Sequence, residues 1–322
     1  MDSRLFLPVI AGPTASGKTS LAIDLAIRHG GEVVSADSMQ IYSGLQIGTA
    51  RPTEQEMKGI PHHLQGFLPL SERYSVACYV EDARRVITEI DARGKLPILC
   101  GGTGLYIDAL IDNLSFHGGG GDPEFRQQLR RRAEREGGES LLEELRRVDE
   151  STAAKLHPNN LGRIIRALEL VNTTGMTMSE QVRLSRTQPS PYDACVIVLD
   201  CRDRAFLYDR INRRVDAMME AGLLEEADTA LAYNSNTESS APTAMQAIGY
   251  KELAPYFEGV LPLQQAVDNL KQATRRYAKR QLSWFRRRKD AHFLYIDEYS
   301  DAACLTKKAS EILGGYAHGY IC

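Results

Sequence analysis

The stretch Leu5-Phe6-Leu7-Pro8-Val9-Ile10-Ala11-Gly12-Pro13-Thr14-Ala15-Ser16-Gly17-Lys18-Thr19 runs, after Ser20, straight into Leu21-Ala22-Ile23-Asp24-Leu25-Ala26-Ile27. An apolar run, a glycine-bounded turn and a second apolar-periodic run read as strand, loop and helix. The spacing G-x-x-x-x-G-K-[ST] is that of a P-loop. Its backbone N–H groups and helix N-terminus surround phosphate oxygens, its lysine neutralises them and its hydroxyl reaches a magnesium ion. Gly12, Pro13, Thr14, Ala15, Ser16, Gly17, Lys18 and Thr19 are therefore the expected phosphate cradle, with Thr19 the expected Mg2+ ligand. Glycine is required where a side chain would block the close approach.

The 322 residues are 43% hydrophobic and 25% charged, which suits a soluble globular chain with a full core, in one large domain with an insertion or in two domains. No apolar run reaches the length of a bilayer span, so no membrane partner and a cytoplasmic location are expected. Cys78, Cys100, Cys195, Cys201, Cys304 and Cys322 are scattered without a C-x-x-C pair. Buried thiols in a reducing compartment are expected rather than a metal site. His62 and His63 are neighbours on an extended segment and point to opposite faces, a poor chelate.

Downstream, Gly31 to Ala36 reads as a short strand that ends at Asp37-Ser38-Met39-Gln40. The carboxyl ends of strands in an open parallel sheet face the ligand crevice, so Asp37 is expected beside the P-loop, although an Asp-Ser pair there also suits a helix cap. Ser75 to Arg93 is periodic as a helix, and Leu96 to Cys100 is the next strand. Gly101-Gly102-Thr103-Gly104 follows it, where a nucleotide hydrolase usually carries an aspartate. From the glycine run 118–121 the strand and helix alternation stops, and residues 122–186 are helical in pattern. Ala194 to Asp200 returns to a buried-strand composition. The fold expected is α/β, a P-loop parallel-sheet core flanked by helices over residues 1–117 and 191–322, with an all-helical insertion over 118–190.

A helix expected over Arg204 to Glu226 carries Arg210, Arg213 and Arg214, either for solubility or to neutralise charge on a leaving group. A second helix over Lys271 to Lys289 holds nine lysines and arginines and no acidic residue, despite a net charge of −3 for the chain. Tyr277 and Trp284 are interleaved with these charges, a pattern that suits an RNA backbone with exposed bases. His292 to Asp297 reads as a last strand, and the tail after Ser300 carries no signal.

Taken in order, Gly12 to Thr19, Asp37 to Tyr42, Ile47 to Ala50, Pro61 to Leu64, Gly101 to Tyr106, Ile248 to Tyr250 and Lys279 to Trp284 resemble the tRNA dimethylallyltransferases, over about residues 8 to 290. The resemblance is to the bacterial form, with no targeting peptide before the loop and no zinc-finger extension after the core expected. It implies transfer of a dimethylallyl group from dimethylallyl diphosphate to N6 of adenosine 37 of tRNA, by a monomer that holds the anticodon stem-loop partly in the helical insertion. It implies Asp37 as proton acceptor, Thr103 along the reaction channel, and Arg214 on the diphosphate, with Arg210 an alternative. By the same resemblance Asp37, Ser38, Met39, Gln40, Thr103, Arg126, Gly162, Arg163, Ile164, Ile165, Arg166, Gln246, Ala247, Ile248, Gly249, Tyr250, Lys251, Lys279, Arg280, Gln281, Trp284 and Arg286 are implied at the tRNA. The alternatives on residues alone are a P-loop kinase of a nucleoside or small metabolite and a nucleic-acid-binding NTPase.

Overall fold

A computed structural model describes residues 4–114, 121–185, 188–235, 244 and 247–316. The chain divides into two units, Met1–Ile111 with Pro191–Cys322, and Asp112–Ser190. The second unit thus begins at Asp112 rather than at Gly118; the glycines 118–120 lie outside the described residues, as do Arg186 and Cys322.

In the first unit the elements are β1 (Leu5–Ala11), α1 (Lys18–His29), β2 (Gly31–Ser35), α2 (Glu54–Met57), β3 (His62–His63), α3 (Val76–Ala92), β4 (Leu96–Gly101) and α4 (Gly104–Ile111). The second unit follows with α5 (Pro123–Glu136), α6 (Gly138–Val148), α7 (Glu150–Ala153), α8 (Leu161–Thr174) and α9 (Met178–Ser185). The first unit then resumes with β5 (Tyr192–Asp200), α10 (Arg204–Glu220), α11 (Leu223–Ser235), α12 (Tyr250–Phe257), α13 (Leu263–Phe285), β6 (His292–Tyr295) and α14 (Ala302–Gly314).

All strand pairs are parallel, in the order β3-β2-β4-β1-β5-β6. β1, β2 and β4 are buried along nearly their whole length, as strands covered by helices on both faces must be, and the near-continuous apolar runs of β1 and β4 follow from that. Because β1 sits between β4 and β5, the loop after it is flanked by the carboxyl ends of both. β2 brings Asp37 up on the far side of β4.

Several expectations are corrected. The helix expected over 204–226 is broken at Gly222, whose φ of +101° ends α10 and lets α11 start in a new direction. The last strand stops at Tyr295. The tail forms α14, whose Ala309 and Leu313 are buried in the same core as Leu21 and Leu25 of α1. Cys100, Cys195 and Cys201 are buried, but Cys78 and Cys304 are exposed. His62 Nδ1 lies 2.8 Å from Ile60 O and His63 Nε2 lies 2.7 Å from a Glu32 oxygen, so the two rings serve separate partners. Among the described residues there is no cluster of metal-ligating side chains and no helix long and apolar enough to cross a membrane.

The second unit closes on its own core, with Leu129, Leu141, Leu145, Ile164, Ile165 and Leu168 buried. Ile164 and Ile165, implied at the tRNA, therefore offer no side-chain surface to it. At the edge of this core Glu169 is fully buried; it accepts from Arg126 Nε at 2.5 Å, Arg166 at 2.7 Å and the Asp122 N–H at 2.7 Å. Burial alone would raise the Glu169 pKa, but these bonds outweigh it and hold the carboxyl below its ordinary range. Its stabilisation is thus present above the unfolded pKa of about 4.3 and is lost as pH falls through the lower folded value. Glu169→Gln should destabilise the helical unit by about 3 kcal/mol at neutral pH, with the gap to the parent chain closing below about pH 4. Urea unfolding followed by circular dichroism across that range checks both.

Candidate active site

The cradle after β1 is shaped by backbone that admits no side chain. Gly12 has φ of +150°, and a Cβ there would stand 2.8 Å from Leu199 O on β5. Ala15 and Gly17 take left-handed conformations at φ of 62° and 89°, and Gly17 caps α1 without a side-chain hydrogen bond. The first N–H groups of α1 are left for an external anion. The Ser16 hydroxyl is buried without a partner, an unmet donor inside the same loop.

Charged side chains converge on this loop. Lys18 Nζ lies 3.4 Å from Pro13 O. Burial lowers its pKa, while smaller effects come from the Cys100 thiol, Arg214 and Asp37. Cys100, which meets the Thr19 hydroxyl, is pushed up to about 11 by burial. Arg210 Nε donates to Ala15 O at 2.8 Å and so braces the loop from outside. Arg214 instead stands in the cavity wall with Lys18, Thr19 and Asp37; burial lowers its pKa and Asp37 opposes that.

Asp37 follows the last buried residue of β2. Its Oδ1 accepts from the N–H groups of Met39 and Gln40 at 3.0 and 3.4 Å, so it caps its own turn; Oδ2 has no partner among the described residues. Asp37 thus stands in the cavity wall with Lys18, and what it caps is a turn rather than the helix that the Asp-Ser pair suits. Thr103 Oγ1 accepts from the Ser38 N–H at 3.0 Å, and the Thr103 N–H donates to Ala36 O at 3.1 Å. Thr103 fixes the Asp37 turn, and the cavity wall does not include it. The side chain of Gln281 fills the space that a Cβ on Gly102 would take. It accepts from the Thr14 N–H at 2.9 Å and donates to Gly102 O at 3.0 Å, tying the cradle to the end of β4.

The cavity these residues surround holds about 230 Å³, with Ile211, Val215, Met218, Leu223, Ile248 and Leu270 as its apolar lining. A larger cleft of about 1240 Å³ adds Arg51, Lys58, Arg210 and Arg213. Lys18, Thr19, Ala50, Arg214 and Met218 border both, so the cradle stands where the two meet.

The profile of the family described as IPP transferase matches residues 40–288, and that described as Isopentenyl transferase matches residues 5–64. The chain belongs to the IPP transferase family. It is 44% identical over 308 residues to the tRNA dimethylallyltransferase of Caldanaerobacter subterraneus subsp. tengcongensis, covering 95% of this chain and 97% of that one. To the tRNA dimethylallyltransferase of Bacillus subtilis it is 48% identical over 278 residues, 86% and 87% of the two chains. The tRNA isopentenylpyrophosphate transferase of Bacillus halodurans superimposes with a TM-score of 0.70 at 40% identity over 98% of each chain. A eukaryotic dimethylallyltransferase acting on tRNA gives 0.83 at 28% identity, over 98% of this chain and 81% of that one.

For this member of the IPP transferase family, the residues implied at the RNA divide sharply. On α13, Lys279 and Arg280 are exposed, and Arg280 reaches the cavity wall. Arg286 is committed to the buried Asp200 at 3.0 and 2.8 Å, and Trp284 Nε1 donates to Asp108 at 2.7 Å. Arg288 bonds the other Asp108 oxygen at 2.8 Å, Lys271 meets Asp216 at 2.5 Å and Arg275 meets Asn212 at 2.6 Å. The absence of acids within the segment is thus offset by acids from other elements, which sequence separation hid. Arg276, Lys279 and Lys289 have no ion-pair partner among the described residues.

Gln40 is also consumed, donating to Thr49 O and Ala50 O at 3.1 and 3.2 Å and accepting from Ser35 and Gln65. Ser38 and Met39 remain partly exposed in the wall. Ala247 and Tyr250 are buried, while Ile248, Gly249 and Lys251 line the cavity; Gln246 lies outside the described residues. In the helical unit Gly162 and Arg163 are exposed, and Arg126 and Arg166 share Glu169. Asp200 was missed by sequence reasoning, although an acid closing a buried apolar strand at the crevice end is a usable signal.

Gln281→Leu keeps the volume but leaves the Thr14 N–H and Gly102 O unpaired, and should cost about 2 kcal/mol in unfolding free energy. Chemical denaturation of the variant beside the parent measures it.

Proposed function

We propose that the chain transfers the dimethylallyl group of dimethylallyl diphosphate to N6 of adenosine 37 of tRNA, releasing diphosphate. The observation that carries this reading is the cavity in which one free carboxylate oxygen of Asp37 shares the wall with Lys18, Thr19 and Arg214 above an apolar lining. The allylic C–O bond breaks, its electron pair leaves on the diphosphate, and the C–N bond forms at N6. The proton of the amine passes to Asp37 Oδ2.

Lys18, the open N–H groups of α1, the Ser16 hydroxyl and Arg214 take up charge on the departing diphosphate. A magnesium ion suits this site, since it is held by few protein oxygens together with phosphate oxygens and water, and Thr19, in the cavity wall, would hold it through its hydroxyl. When bound it would supply further charge neutralisation at the diphosphate. Thr103 keeps the Asp37 turn in register, and Gln281 does the same for the cradle. The apolar lining shields the allylic carbon from water.

The acceptor base must be unstacked from the anticodon loop to enter. Lys279, Arg280 and Lys251 are the exposed cations beside the cavity that suit the phosphates of an anticodon stem-loop. In the helical unit Arg163 is exposed and has no ion-pair partner among the described residues, and the Arg126–Glu169–Arg166 triad keeps one net positive charge. A cytoplasmic monomer completes the reading.

Mass spectrometry of bulk tRNA incubated with the protein and dimethylallyl diphosphate should reveal one added five-carbon unit on adenosine. Asp37→Ala should lower kcat about a hundredfold or more with little change in tRNA affinity, because a proton acceptor acts in the transition state. Equal losses in both would make Asp37 a binding residue. Lys279→Ala should weaken tRNA binding at low salt and reduce the slope of log affinity against log salt by about one; an unchanged slope removes Lys279 from the interface.

A further inference from the structure

Gly48 to Ala50 form part of the cavity wall, Gln46 and Ile47 before them border the larger cleft, and a single carboxylate outside the mechanism holds the segment. Glu226, in the first turns of α11, accepts from three successive backbone N–H groups. Oε2 takes those of Gln46 and Ile47, both at 2.8 Å, and Oε1 that of Gly48 at 2.7 Å. The Tyr250 hydroxyl adds a bond to Oε1 at 2.9 Å. Successive N–H groups converging on one anion are the means by which backbone turns hold phosphate. Here the anion is the protein's own side chain.

The close fit explains Gly48, where a Cβ would stand 2.6 Å from Tyr250 Oη. Beyond this clasp the chain turns through Ala50, at a left-handed φ of 51°, which an unrestrained alanine does not favour. The Ala50 carbonyl then receives Gln40 Nε2 at 3.2 Å and the Arg214 guanidinium at 3.5 Å. Gln40 in turn donates its backbone N–H to Asp37.

We propose that Glu226 is a positioning residue for the transfer reaction: by clasping the N–H groups of residues 46–48 it fixes the Ala50 carbonyl, and through it the guanidinium of Arg214 against the diphosphate. The proposal rests on the reading that Arg214 faces that diphosphate. Glu226 is spent on four hydrogen bonds, so its charge is screened from the anion that Arg214 must meet. Arg214 stabilises charge that develops on the leaving group, so a guanidinium left without its anchor loses mainly transition-state stabilisation.

Glu226→Gln replaces one acceptor oxygen with an NH2 that must face donors, and Tyr250→Phe removes one bond of the four. Steady-state kinetics with tRNA and dimethylallyl diphosphate, and calorimetric titration with inorganic pyrophosphate, read the outcome on the full chain. Glu226→Gln should lower kcat at least about tenfold and weaken pyrophosphate binding by a similar factor, with the KM for tRNA within about twofold of the parent. Tyr250→Phe should repeat the pattern at smaller amplitude, and decides the matter if Glu226→Gln does not fold. Unchanged kcat and pyrophosphate affinity in a folded variant, or pyrophosphate and tRNA binding falling together, would overturn the proposal. Arg214→Ala separates the two levels: if it leaves pyrophosphate binding intact, the diphosphate reading itself fails, whereas normal loss in Arg214→Ala with no effect at Glu226 removes only the clasp.

Discussion

Close approach of backbone to backbone at the head of the sheet is the constraint on which the rest of this structure depends. Gly12 lies against the Leu199 carbonyl, and the Gly101 Cα lies against the backbone of Ala36. A side chain at either place would push β1 from β5, or β4 from β2. Because neither carries one, the ends of four strands gather around the N-terminus of α1, whose first N–H groups have no acceptor within the helix. Asp37, Gln281 and Arg214 then reach a shared space although they lie far apart in the chain.

A second feature runs through the molecule: polar side chains near the site are mostly spent on holding backbone. Gln281 binds the cradle, Gln40 binds the 49–50 turn, Arg210 binds Ala15 and Thr103 binds Ser38. Among the described residues, the groups least engaged near the cradle are one oxygen of Asp37, the ammonium of Lys18, 3.4 Å from Pro13 O, the hydroxyl of Ser16 and the guanidinium of Arg214, 3.5 Å from Ala50 O. That division between brace and reactant is what lets a small cavity keep a carboxylate and two cations at fixed positions without their collapsing into ion pairs.

The parallel sheet, the P-loop, and the helical insertion were legible because each is written in local pattern. Leu5 to Ala11 is apolar at every position, as a strand buried on both faces must be, and the glycines of the cradle sit at the positions where φ or space demands them. The tail was readable too and was passed over: Asp301 caps α14, and Leu305, Ala309, Ile312 and Leu313 recur at helical spacing and pack into the core shared with α1. The break at Gly222 was readable in principle, but the apolar periodicity on either side masked it.

What the amino-acid sequence determined by itself was the fold class and the glycine-bounded loop between β1 and α1, which follow from residue types at short spacing, and the family, which follows from the order of its motifs along the chain. Only the tertiary structure decided which basic residues of α13 and of the segment just after it are free. Arg286 and Arg288 are claimed by Asp200 and Asp108, while Lys279 is not, and the distinction rests on partners 86 and 180 residues away for the first two. It also decided that Arg214 lines both the cavity and the larger cleft, whereas Arg210, one turn earlier on α10, lines only the cleft and donates to Ala15 O. Charge and periodicity describe what a side chain is; the packing of distant elements settles what it meets.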